Sequence, residues 1–356
     1  YKNLINRDIF IHLQYMNILA IETSCDETAL SIINANTKEK NFSVLSDLLI
    51  TQIDIHKEYG GVFPALAKRE HANNLTPLLT QVLTEANLFV KGNSHVDIQN
   101  IEKVLEREPQ LFEQLVVVLQ RIQKPDIEAI MVTHGPGLSP ALWVGVNFAR
   151  ALSTAWNIPI IPVNHMEGHI SSILFADDYK TKKQALIDID SVTLPIIALL
   201  VSGGHTQLVV VKKWGEYEII GETIDDAVGE AFDKTARMLG MEYPGGPKVS
   251  HAAKNGVQDD DVVLPRPMIS SKDYRFSFSG LKTAVRYLVE SLQKKGILDE
   301  QKIANISREF EYAVTDVLIK KTKEALIEHD AKGLIIAGGV SANTHIISSF
   351  TTLIQQ

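Results

Sequence analysis

The chain has 356 residues, 45% of them hydrophobic, with 21 glycines and 13 prolines, which is ordinary globular composition and enough chain for two lobes with separate cores. Fibrous and disordered classes are excluded, and no apolar run approaches the roughly 20 residues that span a bilayer, so no membrane partner and a cytoplasmic location are expected. The net charge of −8 argues against nucleic-acid binding driven by global electrostatics. The single cysteine, Cys25, rules out a disulfide framework and a cysteine-built metal site, so the chemistry must come from His, Asp, Glu and backbone groups.

In chain order, residues 1–16 read as an N-terminal extension ahead of a natural start at Met16. Residues 18–23 and 29–33 are apolar runs around a polar turn, which predicts a β-hairpin with an acidic loop, and a third strand is expected over 44–52. Residues 66–88 carry helical periodicity through Leu75, Leu78, Leu79, Val82 and Leu83. The charged, amphipathic stretch of about 91–125 reads as a helical insertion that serves packing. A strand over 127–133, the turn Gly135-Pro136-Gly137, a helix over 141–156 and a strand over 159–163 form a β-α-β unit of a parallel sheet.

The pattern then restarts. Strands are expected over 194–201, 206–211 and 217–220, with Ser202-Gly203-Gly204 turning between the first two, and a late strand over 333–337 runs through Gly338-Gly339 into a helix from Ser341. Two halves that each open with a strand-turn-strand hairpin predict an α/β fold of the duplicated actin-like, sugar-kinase and heat-shock ATPase type. Its two lobes, 17–190 and 191–356, are expected to flank a nucleotide cleft. This is analogy of fold and leaves function open.

His165 and His169 stand at i and i+4 after a strand, where a starting helix places both imidazoles on one face, within reach of one metal ion. An arbitrary pair of this spacing is more often two surface histidines; the position at a strand end favours ligands. A zinc protease needs a glutamate directly after the first histidine, and that position is Met166. Glu167 is turned roughly 200° from each histidine, to the other face of a helix.

Ser202-Gly203-Gly204 and Gly338-Gly339 are turns whose backbone can approach a phosphate or a nucleotide edge, although each alone also reads as an ordinary turn. Asp233, in a helical pattern opened by Gly229, could take ribose hydroxyls or be a solvated acid. Cys25 sits in an acidic turn that raises its pKa, which argues against a thiolate nucleophile. Arg266, Lys272, Arg275, Lys282 and Arg286 form a candidate basic patch, with a solvated face as the alternative.

Eight blocks carry a resemblance. They are Ile21-Glu-Thr-Ser-Cys-Asp-Glu-Thr28, Gly135-Pro-Gly137, His165-Met-Glu-Gly-His169, Leu200-Val-Ser-Gly-Gly-His-Thr206, Gly229-Glu-Ala-Phe-Asp-Lys-Thr235, Tyr243-Pro-Gly-Gly-Pro247, Phe276-Ser-Phe-Ser-Gly-Leu-Lys282 and Gly338-Gly-Val-Ser-Ala-Asn343. In this order, over nearly all the chain, they resemble the bacterial branch of the tRNA threonylcarbamoyladenosine transferases, once called glycoproteases. The resemblance implies transfer of a threonylcarbamoyl group from threonylcarbamoyl-adenylate to N6 of the adenosine 3′ of the anticodon, in tRNAs reading codons that begin with A, with release of AMP. It implies one divalent metal ion, iron(II) before zinc, on His165 and His169. Leu200, Val201, Ser202, Gly203, Gly204, Asp233, Gly246 and Asn343 would hold the adenylate, and Asp26 or Glu27 would assist proton removal.

Implied partners are tRNA, a paralogous scaffold protein and a small ATPase. The family's third metal ligand is an Asp in a late Asp-Asn-Gly-type segment, and no Asp follows Asp330 here. A C-terminally truncated chain with two of three ligands is therefore expected, and the 91–125 insertion is expected to lengthen a connection that is shorter in the family. Competing readings are a non-catalytic nucleotide-binding scaffold of the same complex, a metalloprotease, and, from fold alone, a sugar kinase or ATPase.

Overall fold

The computed structural model describes residues 14–39, 41–172, 184–186 and 192–355, so most of the N-terminal extension lies outside the described residues. The chain divides into two compact units, Tyr1–Ile189 and Asp190–Gln356.

In the first unit β1 (Tyr15–Glu22) and β2 (Glu27–Asn36) form the expected hairpin, and β3 (Asn41–Thr51) continues the antiparallel pairing. The hairpin begins two residues ahead of the expected lobe start at 17, because Tyr15 and Met16 pair with Asn36 and Ala35. On the other side β4 (Ala129–Gly135) runs parallel to β1, and β5 (Ile160–Asn164) parallel to β4. With β6 (Gln184–Leu186) the sheet order is β5-β4-β1-β2-β3-β6.

In the second unit β7 (Ile196–Val201), β8 (Thr206–Lys213), β9 (Glu216–Glu222) and β10 (Gly333–Ala337) are ordered β10-β7-β8-β9. β10 lies parallel to β7, and β7, β8 and β9 alternate in direction. The run β4-β1-β2-β3 of the first sheet thus recurs, in order and in sense, in the second. This repeat of pairing bears out the duplication read from the two hairpins.

Short α1 (Ile53–Lys57) precedes α2 (Pro64–Glu85), which starts on a proline whose missing N–H is no loss in a first turn. α2 and α5 (Ser139–Trp156) bury Leu75, Leu79, Val144 and Phe148 against Leu19, Ile21, Leu30 and Ile32 of the first sheet. α3 (Ile98–Val104) and α4 (Pro109–Leu119) fill the stretch read as a helical insertion, and Ile101, Leu105, Leu115 and Leu119 join the same core. A full burial of one such aliphatic side chain contributes about 1.5–3 kcal/mol, which is why this stretch packs and offers little chemistry. α6 (His165–Ser171) leaves β5 directly, with Asn164 as its cap.

β7 and the first six residues of β8 are buried on both faces, so they read as continuous apolar runs with no alternation. Around them stand α7 (Val228–Met238), α8 (Gly245–Ala253), α9 (Ser279–Lys294) and α10 (Glu300–Glu328), with Phe232 and Phe310 in edge-to-face contact at 5.0 Å. The helix expected from Ser341 begins later: residues Gly339–Ala342 form a 3₁₀ turn, and α11 (Thr344–Ile354) starts where the Asn343 side chain accepts from the Ile346 N–H. A competent cap, and not the first polar residue, decides that boundary.

The candidate basic patch is largely neutralised within the chain. Arg266 pairs with Glu309 and Asp316, Arg275 with Asp273, Lys282 with Asp226, and Arg286 with Glu290. Asp226 also takes Lys234, so the lysine of the Phe276–Lys282 block clamps α9 to α7. Asp225 accepts from the Phe278 and Ser279 N–H groups and both neighbouring serine hydroxyls, an anchor at the start of α9. These charges organise the fold.

Candidate active site

In the first unit the β1–β2 turn, the β4–α5 turn and the start of α6 come together. The Asn164 side chain accepts from the Met166 and Glu167 N–H groups and fixes the first turn of α6. One helical turn then brings His165 Nε2 and His169 Nε2 to 3.2 Å. Two adjacent nitrogen ligands on an ion at about 2.1 Å lie about 3.0–3.4 Å apart for octahedral to tetrahedral angles. The pair therefore fits two neighbouring positions on one metal ion. Among the described residues no group of three or more His, Cys, Asp or Glu side chains is placed to hold a metal.

Glu22, at the end of β1, was not singled out in the sequence. Its Oε2 lies 3.3 Å from His165 Nδ1, and it accepts from the Thr133 hydroxyl at 2.5 Å, while Oε1 accepts from the Ser24 N–H. Burial alone would raise the pKa of this carboxyl, but the hydrogen bond and charge of His165, with the Ser24 and Thr133 donors, bring it down to about 2. An ionised Glu22 on Nδ1 orients the ring and leaves Nε2 for a ligand, the arrangement that tunes metal-binding histidines. The signal available in the sequence was an acid closing an apolar strand; its partner lies 143 residues away.

The turn itself is tightly seated. Leu138 N–H donates to Ser24 C=O at 2.7 Å, and a Cβ added at Gly137 would stand 2.6 Å from that oxygen. Gly137 is thus glycine because the two turns touch backbone to backbone. Asp26 is half-buried and Glu27 exposed, both beside this contact. Burial, then the charges of Asp26 and Glu22, raise the Glu27 pKa. Cys25 reaches solvent, but its surroundings and the charge and hydrogen bonding of Asp26 push the thiol up to about 12, as its acidic turn predicted.

The second unit gathers the residues expected at the adenylate. Leu200 and Val201 are at most 1% exposed, so their side chains belong to the core and only their backbone can meet a ligand. Ser202 N–H donates to His205 C=O and closes the turn, while Cβ atoms added at Gly203 and Gly204 would meet nothing within 4 Å. The same is true at Gly339, and at Gly246 only Phe232 Cβ comes within 3.9 Å. Gly338, at φ +97°, has a left-handed backbone that packs on Val201 C=O. These open glycines form a surface that backbone and ligand can share closely.

Asp233 Oδ1 accepts from the Gly245 N–H at 2.7 Å and ties the start of α8 to α7. The Asn343 amide donates to Ser250 Oγ and to Glu311 Oε1, each at 2.7 Å, while its oxygen caps α11. Glu311, 4% exposed, and Ser250 are further members of this site that the sequence did not announce. A buried acid inside a long helix was the only local sign.

The sequence matches the family described as "TsaD: tRNA N6-adenosine threonylcarbamoyltransferase" over residues 43–96 and 106–355. Of the stretch 91–125 only 97–105 falls outside that match, so the insertion expected relative to the family shrinks to about the α3 segment. A tRNA N6-adenosine threonylcarbamoyltransferase of Chromobacterium violaceum is 42% identical over 332 residues, covering 93% of this chain and 82% of that protein. HypF of T. kodakarensis, at 12% identity and a TM-score of 0.51, covers 97% of this chain and 44% of that one, a likeness of fold alone. The chain also spans 63% of a Pseudomonas aeruginosa protein with similarity to peptidase YEAZ, over 57% of its own length, at 14% identity and a TM-score of 0.30. The repeated sheet makes the fold the duplicated actin-like one, and the chain belongs to the tRNA N6-adenosine threonylcarbamoyltransferase family, acyltransferases by reaction class.

Proposed function

We propose that this chain transfers the threonylcarbamoyl group of threonylcarbamoyl-adenylate to N6 of the adenosine 3′ of the anticodon, in tRNAs reading codons that begin with A. Family membership supports the reaction. The observation that carries the assignment to this site is the 3.2 Å convergence of the His165 and His169 Nε2 atoms, with Glu22 on the far nitrogen of His165.

The amine N6 attacks the carbamoyl carbon, the bond from that carbon to the phosphate oxygen breaks, AMP leaves with the electron pair, and N6 loses a proton. An exocyclic amine is a weak nucleophile, so placement carries much of the rate. In this reading Ser202, Gly203, Gly204, Gly246 and Gly339 receive the nucleotide through backbone groups, and Asn343 holds the 3₁₀ turn beside them. Asp233, which also ties the start of α8, would take the ribose hydroxyls. His165 and His169 would hold one divalent ion, iron(II) or zinc, which when bound polarises the acyl-phosphate group. Glu27, whose pKa is raised, is the better proton acceptor of the acidic turn, since a base near the working pH is more effective; Asp26 raises it. The expected partners are tRNA, a paralogous scaffold protein and a small ATPase, and the cytoplasm is the expected site of action. Among the described residues no helix is long and apolar enough to cross a membrane.

The test is direct. The protein, with its partner proteins, is incubated with threonylcarbamoyl-adenylate and unmodified tRNA, with and without a chelator, and the digested tRNA is analysed for the modified nucleoside. Product that disappears with chelator and returns with added iron(II) or zinc supports the reading. No product under any of these conditions overturns it.

A further inference from the structure

Behind the acidic turn of the first unit lies a chain of buried polar groups that the reaction does not use. His56 and His71 are fully buried and Gln52 is 1% exposed. His71 Nε2 lies 3.0 Å from Cys25 C=O, an oxygen that can only accept, so Nε2 carries the proton. Nδ1 of the neutral ring is then an acceptor, and it faces the Thr28 hydroxyl at 2.8 Å and Gln52 Nε2 at 3.3 Å. With its amide nitrogen so engaged, Gln52 turns Oε1 to His56 Nε2 at 3.1 Å, which must in turn be protonated. His56 Nδ1 accepts from the Phe63 N–H at 3.3 Å.

Each link dictates the next, and one orientation of Gln52 satisfies all of them. The reversed amide would set its oxygen against the lone pair of His71 Nδ1. The Gln52 backbone N–H also donates to Asp26 C=O at 2.8 Å. Gln52 and His71 therefore grip the two consecutive carbonyls, of Cys25 and Asp26, that precede Glu27.

We propose that Gln52 and His71 are positioning residues for the acidic turn, which hold the backbone of Cys25 and Asp26 from inside so that the Asp26 and Glu27 carboxylates stay placed for proton removal. The proposal rests on the reading of that turn given under Proposed function. Satisfied buried networks of this kind rigidify what they hold, whereas a partly satisfied one loosens it. Burial, the first cause, lowers the pKa of both histidines and keeps them in the neutral form that the chain requires.

The experiment uses the full chain with its partner proteins and four variants: Gln52→Met, similar in shape without the amide; Gln52→Glu, which puts an acceptor against His71 Nδ1; His71→Leu, which removes both ring nitrogens; and His71→Asn, which keeps one donor and one acceptor. Gln52→Met is expected to lower kcat between ~10- and ~100-fold, as for a misplaced catalytic group, with KM for threonylcarbamoyl-adenylate and AMP affinity unchanged. His71→Asn is expected to recover part of what His71→Leu loses. Nitrogen-15 NMR of the wild type should show His56 and His71 as neutral Nε2–H rings, and Gln52→Glu should convert His71 to the doubly protonated form. A kcat for Gln52→Met within about twofold of wild type, or a wild-type His71 protonated on Nδ1, overturns the proposal. Should the wild-type complex make no modified nucleoside, the reaction itself falls. Amide exchange then decides the positioning: it rises at Asp26 and Glu27 in Gln52→Met if the chain holds the turn, and is unchanged if it does not.

Discussion

The two hairpin turns, residues 23–26 between β1 and β2 and residues 202–205 between β7 and β8, occupy the same place in two copies of one sheet pattern, yet they are built for opposite tasks. The first is crowded. Gly137 touches its backbone, Thr23 donates to Ala141 C=O, Glu22 reaches His165, and the buried Gln52 and His71 hold its carbonyls. The second touches backbone on one side only, where Gly229 N–H donates to Ser202 C=O and a Cβ at Gly229 would stand 2.7 Å from that oxygen; its other side is open, since Cβ atoms added at Gly203 and Gly204 would meet nothing within 4 Å. Crowding fixes side chains that must be aimed, while open glycines leave backbone N–H groups free to meet a ligand that brings its own shape. In the proposed reaction one copy of the turn would serve chemistry and the other binding.

The largest expected break in this contrast is the double variant His165→Ala, His169→Ala. Loss of the ligand pair should lower transfer by ~1,000-fold or more, if the ion contributes several kcal/mol to the transition state, and remove bound metal measured by elemental analysis. AMP binding, titrated by calorimetry, should stay within about twofold, because the open glycines remain. Transfer that persisted in this variant would take the pair out of the mechanism.

A smaller effect is expected for Glu22→Gln. Second partners of metal-binding histidines are worth roughly 10–100-fold in affinity, so competition with a chelator should show weaker metal binding in that range. Equal affinity would make Glu22 a fold residue only.

The turns can also be compared by the same substitution in each. Gly137→Ala drives a methyl against Ser24 C=O and should cost about 1–3 kcal/mol of stability in urea unfolding. Gly203→Ala has room and should stay within about 0.5 kcal/mol, while weakening AMP binding. Equal costs at both positions would erase the distinction.

The smallest effect concerns pH. His56 and His71 are buried with lowered pKa values, so between those values and the ordinary value of about 6.5 the unfolded chain binds more protons. Stability is therefore full above about pH 6.5 and falls as pH drops through the folded values. The thermal midpoint should decline on acidification below pH 6.5, and less so in His71→Asn. A midpoint unchanged between pH 7.5 and 5.5 would show that the two histidines are not held neutral.

Much of this was legible in the residues. Period-two and period-3.6 patterns placed the strands and the two long helices of the first unit within a few positions, because local backbone preference and burial share those periods, while α9 and α10 of the second unit were not read from the sequence. The spacing of His165 and His169 announced their common face for the same reason. The sequence could not announce that Glu22 belongs to His165, that Glu311 holds Asn343, or that Arg266 and Lys282 are already paired. Those partners lie between 32 and 143 residues apart for the polar contacts that matter most here, and no periodicity spans such distances.

Sequence by itself determined the order of the elements, the duplicated hairpins and the ordered blocks that mark the family, since each follows from short-range preference or from residue identity. Tertiary structure alone decided which side of each turn is packed and which is open, which carboxylate serves a histidine, and which charges pair. The partner of a buried polar group is chosen by where packing brings the chain together, and only the folded backbone holds that information.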